Sequence, residues 1–183
     1  MHCTEDSPLE PISLYGRTKV EAEAELLAAE YTVTLRLATV FGMSPRMRLD
    51  LLVNHFTYAA VTDRYLVLFE KHFKRNFVHI RDMADCFAFA IENFEQMRGR
   101  PYNVGLDAAN MSKEELAFKI AEQVPNFAIH CSEIGQDPDK RNYIVSNQRL
   151  REAGFEASRS IEQGIEELIK GYSMFARHKF YNL

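Results

Sequence analysis

The chain has 183 residues, the length of one ordinary domain with a sizeable core, and its 46% hydrophobic and 26% charged content is that of a soluble globular protein. A net charge of -4 and a pI near 5.9 argue against a nucleic-acid partner, which would ask for a basic face. No apolar run approaches the ~18 residues that span a bilayer, the polar start Met1-His2-Cys3-Thr4-Glu5-Asp6 is no secretory signal, and Cys3, Cys86 and Cys131 form no CxxC pair, so a reducing cytoplasm without a membrane partner is the expectation.

Helix and strand patterns alternate along the chain, which predicts an α/β class. Residues 15–30 are rich in Glu, Ala and Leu and predict a helix. Residues 31–37 follow, alternating and β-branched, and lead into a turn at Gly42 and Pro45. A second helix is expected over residues 49–60, then strands over 65–69 and 76–80. After Asp82, the residues Ala84, Phe87, Ala88 and Ile91 recur at helical spacing and predict one buried face. Phe87, Phe89 and Phe94 read as packing groups. A short strand over 101–105 ends at Gly105.

Ser112-x-x-Glu115 is a capping box opening a helix with Leu116, Ile120 and Ala121 inside, and Lys113, Glu114 and Glu115 read as its solvated start. Residues 127–131 suggest another strand. Ser146 is expected to cap a short helix ending at Gly154, and Ser160-x-x-Gln163 to open the last helix, with Ile161, Ile165, Leu168, Ile169 and Tyr172 inward. There is no internal repeat.

The chemistry centres on Tyr15-Gly-Arg-Thr-Lys19, which sets a phenol and an ammonium one turn apart on one helix face. A free tyrosine, with a pKa near ~10, is a poor base at neutral pH. An adjacent Lys⁺ stabilises the phenolate, which can then take a hydroxyl proton while hydride leaves the same carbon. In isolation such spacing more often marks a half-buried tyrosine beside a solvated lysine. His79 reads as a hydrogen-bonded core histidine, and the histidines show no metal-ligand spacing.

The surrounding sequence decides between these readings. The run Glu5-Asp-Ser-Pro-Leu-Glu-Pro-Ile-Ser-Leu-Tyr-Gly-Arg-Thr-Lys-Val-Glu-Ala-Glu23 resembles the active-site segment of extended short-chain dehydrogenase/reductases, the NAD-dependent nucleotide-sugar epimerases and dehydratases. Leu35-Arg-Leu-Ala-Thr-Val-Phe-Gly42, Arg75-Asn-Phe-Val-His-Ile-Arg-Asp82, Tyr102-Asn-Val-Gly105 and Asp139-Lys-Arg-Asn-Tyr143 are similar to later segments of that family, in the same order. The resemblance runs from about Glu5 to Tyr172. It implies the C-terminal part of a Rossmann-type doubly wound parallel sheet plus a small substrate-binding subdomain. Residues 1–45 would hold the catalytic helix and a late strand, and residues 46–183 the mostly substrate-side body.

The resemblance also implies roles. Tyr15 would be the catalytic acid/base, and Lys19 would tune it and bind the nicotinamide ribose of NAD or NADP. Leu37 and Ala38 would border the cofactor, and Thr39 the sugar. Arg75 would contact the diphosphate of a nucleotide-diphosphate sugar, and Arg141 is open between a second such contact and a surface ion pair. The family's glycine-rich turn has no counterpart among Gly16, Gly42, Gly99, Gly105, Gly135, Gly154, Gly164 and Gly171. The expectation is therefore a chain lacking the N-terminal half, roughly 120–150 residues at ~30 per βαβ unit, and inactive alone. It would expose a strand edge near Val33 and self-associate as a homo-oligomer. The competing expectation is a non-catalytic sugar-nucleotide-binding or assembly fragment. A steroid or flavonoid reductase is a third reading, against which the Arg75 and Arg141 segments speak.

Overall fold

The computed structural model of the chain describes residues 2–132 and 142–174. The first elements are β1 (His2–Cys3), α1 (Leu14–Ala28), β2 (Val33–Leu37) and β3 (Thr39–Phe41). Next come α2 (Leu52–Thr62), β4 (Tyr65–Phe69), β5 (Lys74–Arg75), β6 (Phe77–His79), α3 (Ile80–Glu92) and the single turn α4 (Phe94–Met97). The remainder is β7 (Arg100–Val104), β8 (Met111–Ser112), α5 (Lys113–Gln123), β9 (Ala128–Ser132), β10 (Ile144–Val145), α6 (Gln148–Glu152) and α7 (Ile161–Met174).

Strands pair in parallel as β1 with β10, β2 with β7, β3 with β6 and β4 with β9; among the described residues only β5 and β8 are antiparallel. Parallel pairing needs crossover connections, which the intervening helices supply. The architecture is α/β and of Rossmann type. β2 and β3 are one run of chain that changes partner at its middle: the Ala38 N–H donates to Val104 O, and the Thr39 N–H to Asn76 O. The strand thus forks between β7 and β6, and residues 37–39 sit at the fork.

Two hydrophobic cores lie on either side of this arrangement. One gathers Phe41, Val53, Phe56, Leu68, Phe77, Leu116, Ile120, Ile165, Leu168 and Tyr172; the other, Val78, Cys86, Met97, Tyr102, Val104 and Leu150. Each fully buried Leu or Ile is worth about 1.5–3 kcal/mol over an exposed one. α7 comes so close to β3 that a Cβ on Gly164 would lie 2.2 Å from Phe41 Cε2.

The local signals at helix starts are met. The Ser112 hydroxyl accepts from the Glu115 N–H at 3.1 Å while the Glu115 carboxylate accepts from the Ser112 N–H at 2.6 Å. Ser160 and Gln163 make the same reciprocal pair. Gly154 takes the left-handed turn after α6 at φ +107°. The residue capping α6 is Asn147 rather than Ser146, although the Ser146 hydroxyl accepts from the Gln148 N–H.

Two further expectations fail. The stripe Ala84, Phe87, Ala88, Ile91 faces outward, with Phe87 46% and Ile91 75% exposed, and α3 instead buries Asp82, Cys86 and Ala90. Its apolar periodicity is real, but no described element covers it. Lys113 is not solvated but buried: its ammonium donates to Phe69 O at 3.1 Å and lies over the Phe73 ring. That partner comes from 44 residues away, beyond the reach of a local pattern.

Candidate active site

α1 begins because the Ser13 hydroxyl accepts from the Gly16 N–H at 3.1 Å. Tyr15 and Lys19 then fall one turn apart, and the Lys19 ammonium lies over the Tyr15 ring, 5.4 Å from its centroid. Tyr15 is not half-buried. It is 71% exposed, and no residue of α1 is buried.

What fixes this open helix is an ion pair that the sequence reading passed over. Glu23 of α1 accepts from Arg36 Nε at 3.0 Å and Nη2 at 2.5 Å, and from the Thr34 hydroxyl at 3.1 Å. Thr34 and Arg36 share one face of β2, as a period of two requires. Arg36 also donates to Glu5 O at 3.0 Å, and the Glu5 carboxylate accepts from the Asn103 N–H at 2.9 Å. The clamp therefore ties the helix carrying Tyr15 and Lys19 to the strand that runs into Leu37, Ala38 and Thr39. The Arg36 guanidinium holds the Glu23 carboxyl below its ordinary value.

A depressed carboxylate contributes stability that is present above its unfolded value of about 4.5 and is lost as pH falls through the lower folded value. Glu23→Gln is accordingly expected to cost about 1–3 kcal/mol at pH 7. The gap from wild type should close in acid. Urea unfolding of both proteins at neutral pH and near pH 3 checks this, and a constant gap contradicts it.

Beyond the fork, Leu37 is exposed, while Ala38 and Thr39 are half-buried. The loop after β3 is held by Asn54, 3% exposed on α2. Its Oδ1 accepts from the Gly42 N–H and its Nδ2 donates to Arg48 O, each at 3.1 Å, and its own backbone oxygen accepts from the Tyr172 hydroxyl.

Arg75 directly precedes Asn76, whose carbonyl accepts from the Thr39 N–H at the fork. The Arg75 side chain is buried, donates to Lys74 O at 2.9 Å, and lies 5.7 Å from the Tyr143 ring centroid. Arg141 lies outside the described residues. The structure thus unites Tyr15 with Lys19, and Thr39 with the segment of Arg75.

His79 is a structural group. Its Nδ1 accepts from the Arg81 N–H at the start of α3, so Nε2 carries the proton and faces Glu167 at 3.3 Å. Burial pushes its pKa down despite that carboxylate.

The sequence profile of the NAD dependent epimerase/dehydratase family matches residues 2–105, more than half of the chain. The chain belongs to this family. A curated relative, the low-salt glycan biosynthesis protein Agl12 of Haloferax volcanii, is 28% identical over 177 residues, covering 92% of this chain and 55% of its own length. Among solved structures, dTDP-glucose 4,6-dehydratase from Bacillus anthracis, in complex with NAD, superposes with a TM-score of 0.79 at 21% identity over 97% of this chain and 57% of its own. UDP-glucose 4-epimerase from Thermotoga maritima, with UDP-glucose, gives 0.79 at 21% identity over 95% and 58%. These structures share the family's fold, and the chain spans a little over half the length of the relatives it matches.

Proposed function

We propose that the chain forms the substrate-side part of the active site of an NAD(P)-dependent sugar-nucleotide epimerase or dehydratase. Tyr15 exchanges a proton with a sugar hydroxyl, and Lys19 stabilises the phenolate that this leaves. Leu37 and Ala38 border the nicotinamide, Thr39 the sugar. Arg75, with Arg141, holds the diphosphate through its planar fork. Bound NAD(P) would supply the hydride acceptor beside Lys19, Leu37 and Ala38. Residues 1–45 serve as the catalytic wall and residues 46–183 as the mostly substrate-side body.

The observation that carries this reading is the lysine ammonium seated over Tyr15 on a helix locked to the strand of residues 37–39. The exposure of Tyr15 supports a second element: the 183-residue chain is not catalytic alone, because a phenol open to water lacks the dry surroundings that make a proton transfer efficient.

Calorimetry with UDP- and dTDP-sugars, with and without NAD(H), tests both elements. The expected result is saturable sugar-nucleotide binding without NAD turnover, weakened about 10- to 100-fold by Arg75→Met, as for loss of a hydrogen bond to a charged group. Binding untouched by Arg75→Met removes the diphosphate assignment. Turnover abolished by Tyr15→Phe would keep the chemistry and overturn the inactivity.

A further inference from the structure

We infer that the side-chain oxygens of Asn76 and Asn147 share one internal water molecule, which donates a hydrogen to each and braces the fork of the sheet against the start of α6.

Buried polar atoms pair almost without exception, and each one that does not calls for an explanation. Among the described residues, two buried side-chain atoms lack a hydrogen-bond partner: Asn76 Oδ1 and Asn147 Oδ1. The two residues are 2% and 6% exposed, so bulk solvent does not serve them. They are distant in the chain, yet their oxygens converge. A Cβ built on Gly105 would lie 1.6 Å from the first and 2.9 Å from the second. Turning an amide over is no remedy. Asn76 Nδ2 donates to Leu106 O at 2.8 Å, and Asn147 Nδ2 donates to Asp107 Oδ1 at 2.8 Å. A flip of either would set oxygen against oxygen and lose a bond. Both orientations are therefore fixed, and both oxygens present lone pairs to one spot.

What such a spot takes is a small donor of two hydrogen bonds. A cavity of about 10 Å³ lies alongside, bordered by Gly105, Leu106, Asp107, Asn147 and Leu150. That is the room of a single water, and two polar partners are enough to hold one. A divalent cation fits less well, since it takes about six oxygens or more. The carboxylates at the rim, Asp107 and Glu156, both face the Arg151 guanidinium, at 2.9 and 3.9 Å. The position gives the water a structural consequence. The Asn76 carbonyl accepts from the Thr39 N–H at the fork, and Asn147 caps α6. One molecule thus ties the fork residue's neighbour to the helix start across the end of β7. This site stands apart from the sugar-nucleotide reading, and either can fail without the other.

The test is a crystal structure of the wild-type chain fine enough to order internal water, together with water oxygen-17 relaxation dispersion on the wild type and Asn147→Leu. The expected density is a single sphere within about 2.5–3.0 Å of both Oδ1 atoms. Asn147→Leu replaces the acceptor by an apolar group of similar size and should lose one long-lived internal water. Absence of the density, rotation of either amide onto a protein donor, or an unchanged water count in the variant overturns the inference. So does an anomalous peak at the site after a thallium(I) soak, which would mark a monovalent cation instead. If Asn147→Leu does not fold, the wild-type map decides alone.

Discussion

Gly105→Ala is expected to destabilise the chain by about 3 kcal/mol or more, the sum of an overpacked site and a broken buried hydrogen bond. The glycine ends β7, and its backbone shows no left-handed strain that would call for glycine. What demands it is space. An added Cβ would lie 1.6 Å from Asn76 Oδ1 and 2.9 Å from Asn147 Oδ1. Asn76 is 2% exposed and its amide donates to Leu106 O at 2.8 Å, so it cannot swing aside without giving up that bond. Asn147 is pinned likewise, its amide donating to Asp107 at 2.8 Å. Because Asn76 also receives the Thr39 N–H at the fork, the damage would reach the proposed substrate wall. A double-mutant cycle supplies the check. Asn76→Ala should recover part of the loss in the Gly105→Ala background, and strict additivity of the two urea-unfolding penalties would show that the contact is not the cause.

Arg159→Ala is expected to cost about 3–5 kcal/mol, more than Asp82→Ala, because the two changes leave different things behind. The Asp82 carboxylate is 2% exposed and accepts from Arg159 twice, from its backbone N–H at 2.9 Å and its Nη1 at 2.5 Å. Cutting Arg159 to alanine strands a buried carboxylate on a single amide. Cutting Asp82 to alanine leaves a guanidinium that is partly in water and still holds Asp85 at 2.8 Å. Equal penalties for the two variants in chemical denaturation would mean that the burial of Asp82 does not set the cost. The pair pins the segment before α7 to the start of α3, which places α7 against Phe41 and Tyr58.

Much of this was legible in the residues, for reasons that are local. Capping boxes at Ser112 and Ser160 need only a hydroxyl and a carboxylate or amide three residues apart. The facing of Tyr15 and Lys19 needs only helical geometry. The family resemblance placed the fork segment and the Arg75 segment in order before any contact was known. What escaped were features made by distant chain. The Glu23–Arg36 clamp joins a helix to a strand, and its sequence trace is only a glutamate and an arginine on faces that happen to meet. Lys113 looked solvated because its acceptor, Phe69 O, belongs to β4, 44 residues earlier in the chain. The α3 stripe was misread because periodicity reports that a face is apolar, never what will cover it.

The pairing order of the strands has a consequence for biosynthesis. In parallel register His2 pairs with Ile144 and Cys3 with Val145, nearly the whole described chain apart. Non-local parallel pairings of this kind fold slowly, since loop closure precedes any reward. A ribosome adding about 5–20 residues per second would expose the Tyr15 helix many seconds before Arg149 emerges. Until β7 (Arg100–Val104) emerges, the Tyr15 helix has no β2–β7 ladder behind it. The chain is then most in need of a chaperone at the stage when the Tyr15 helix already exists and α7 does not.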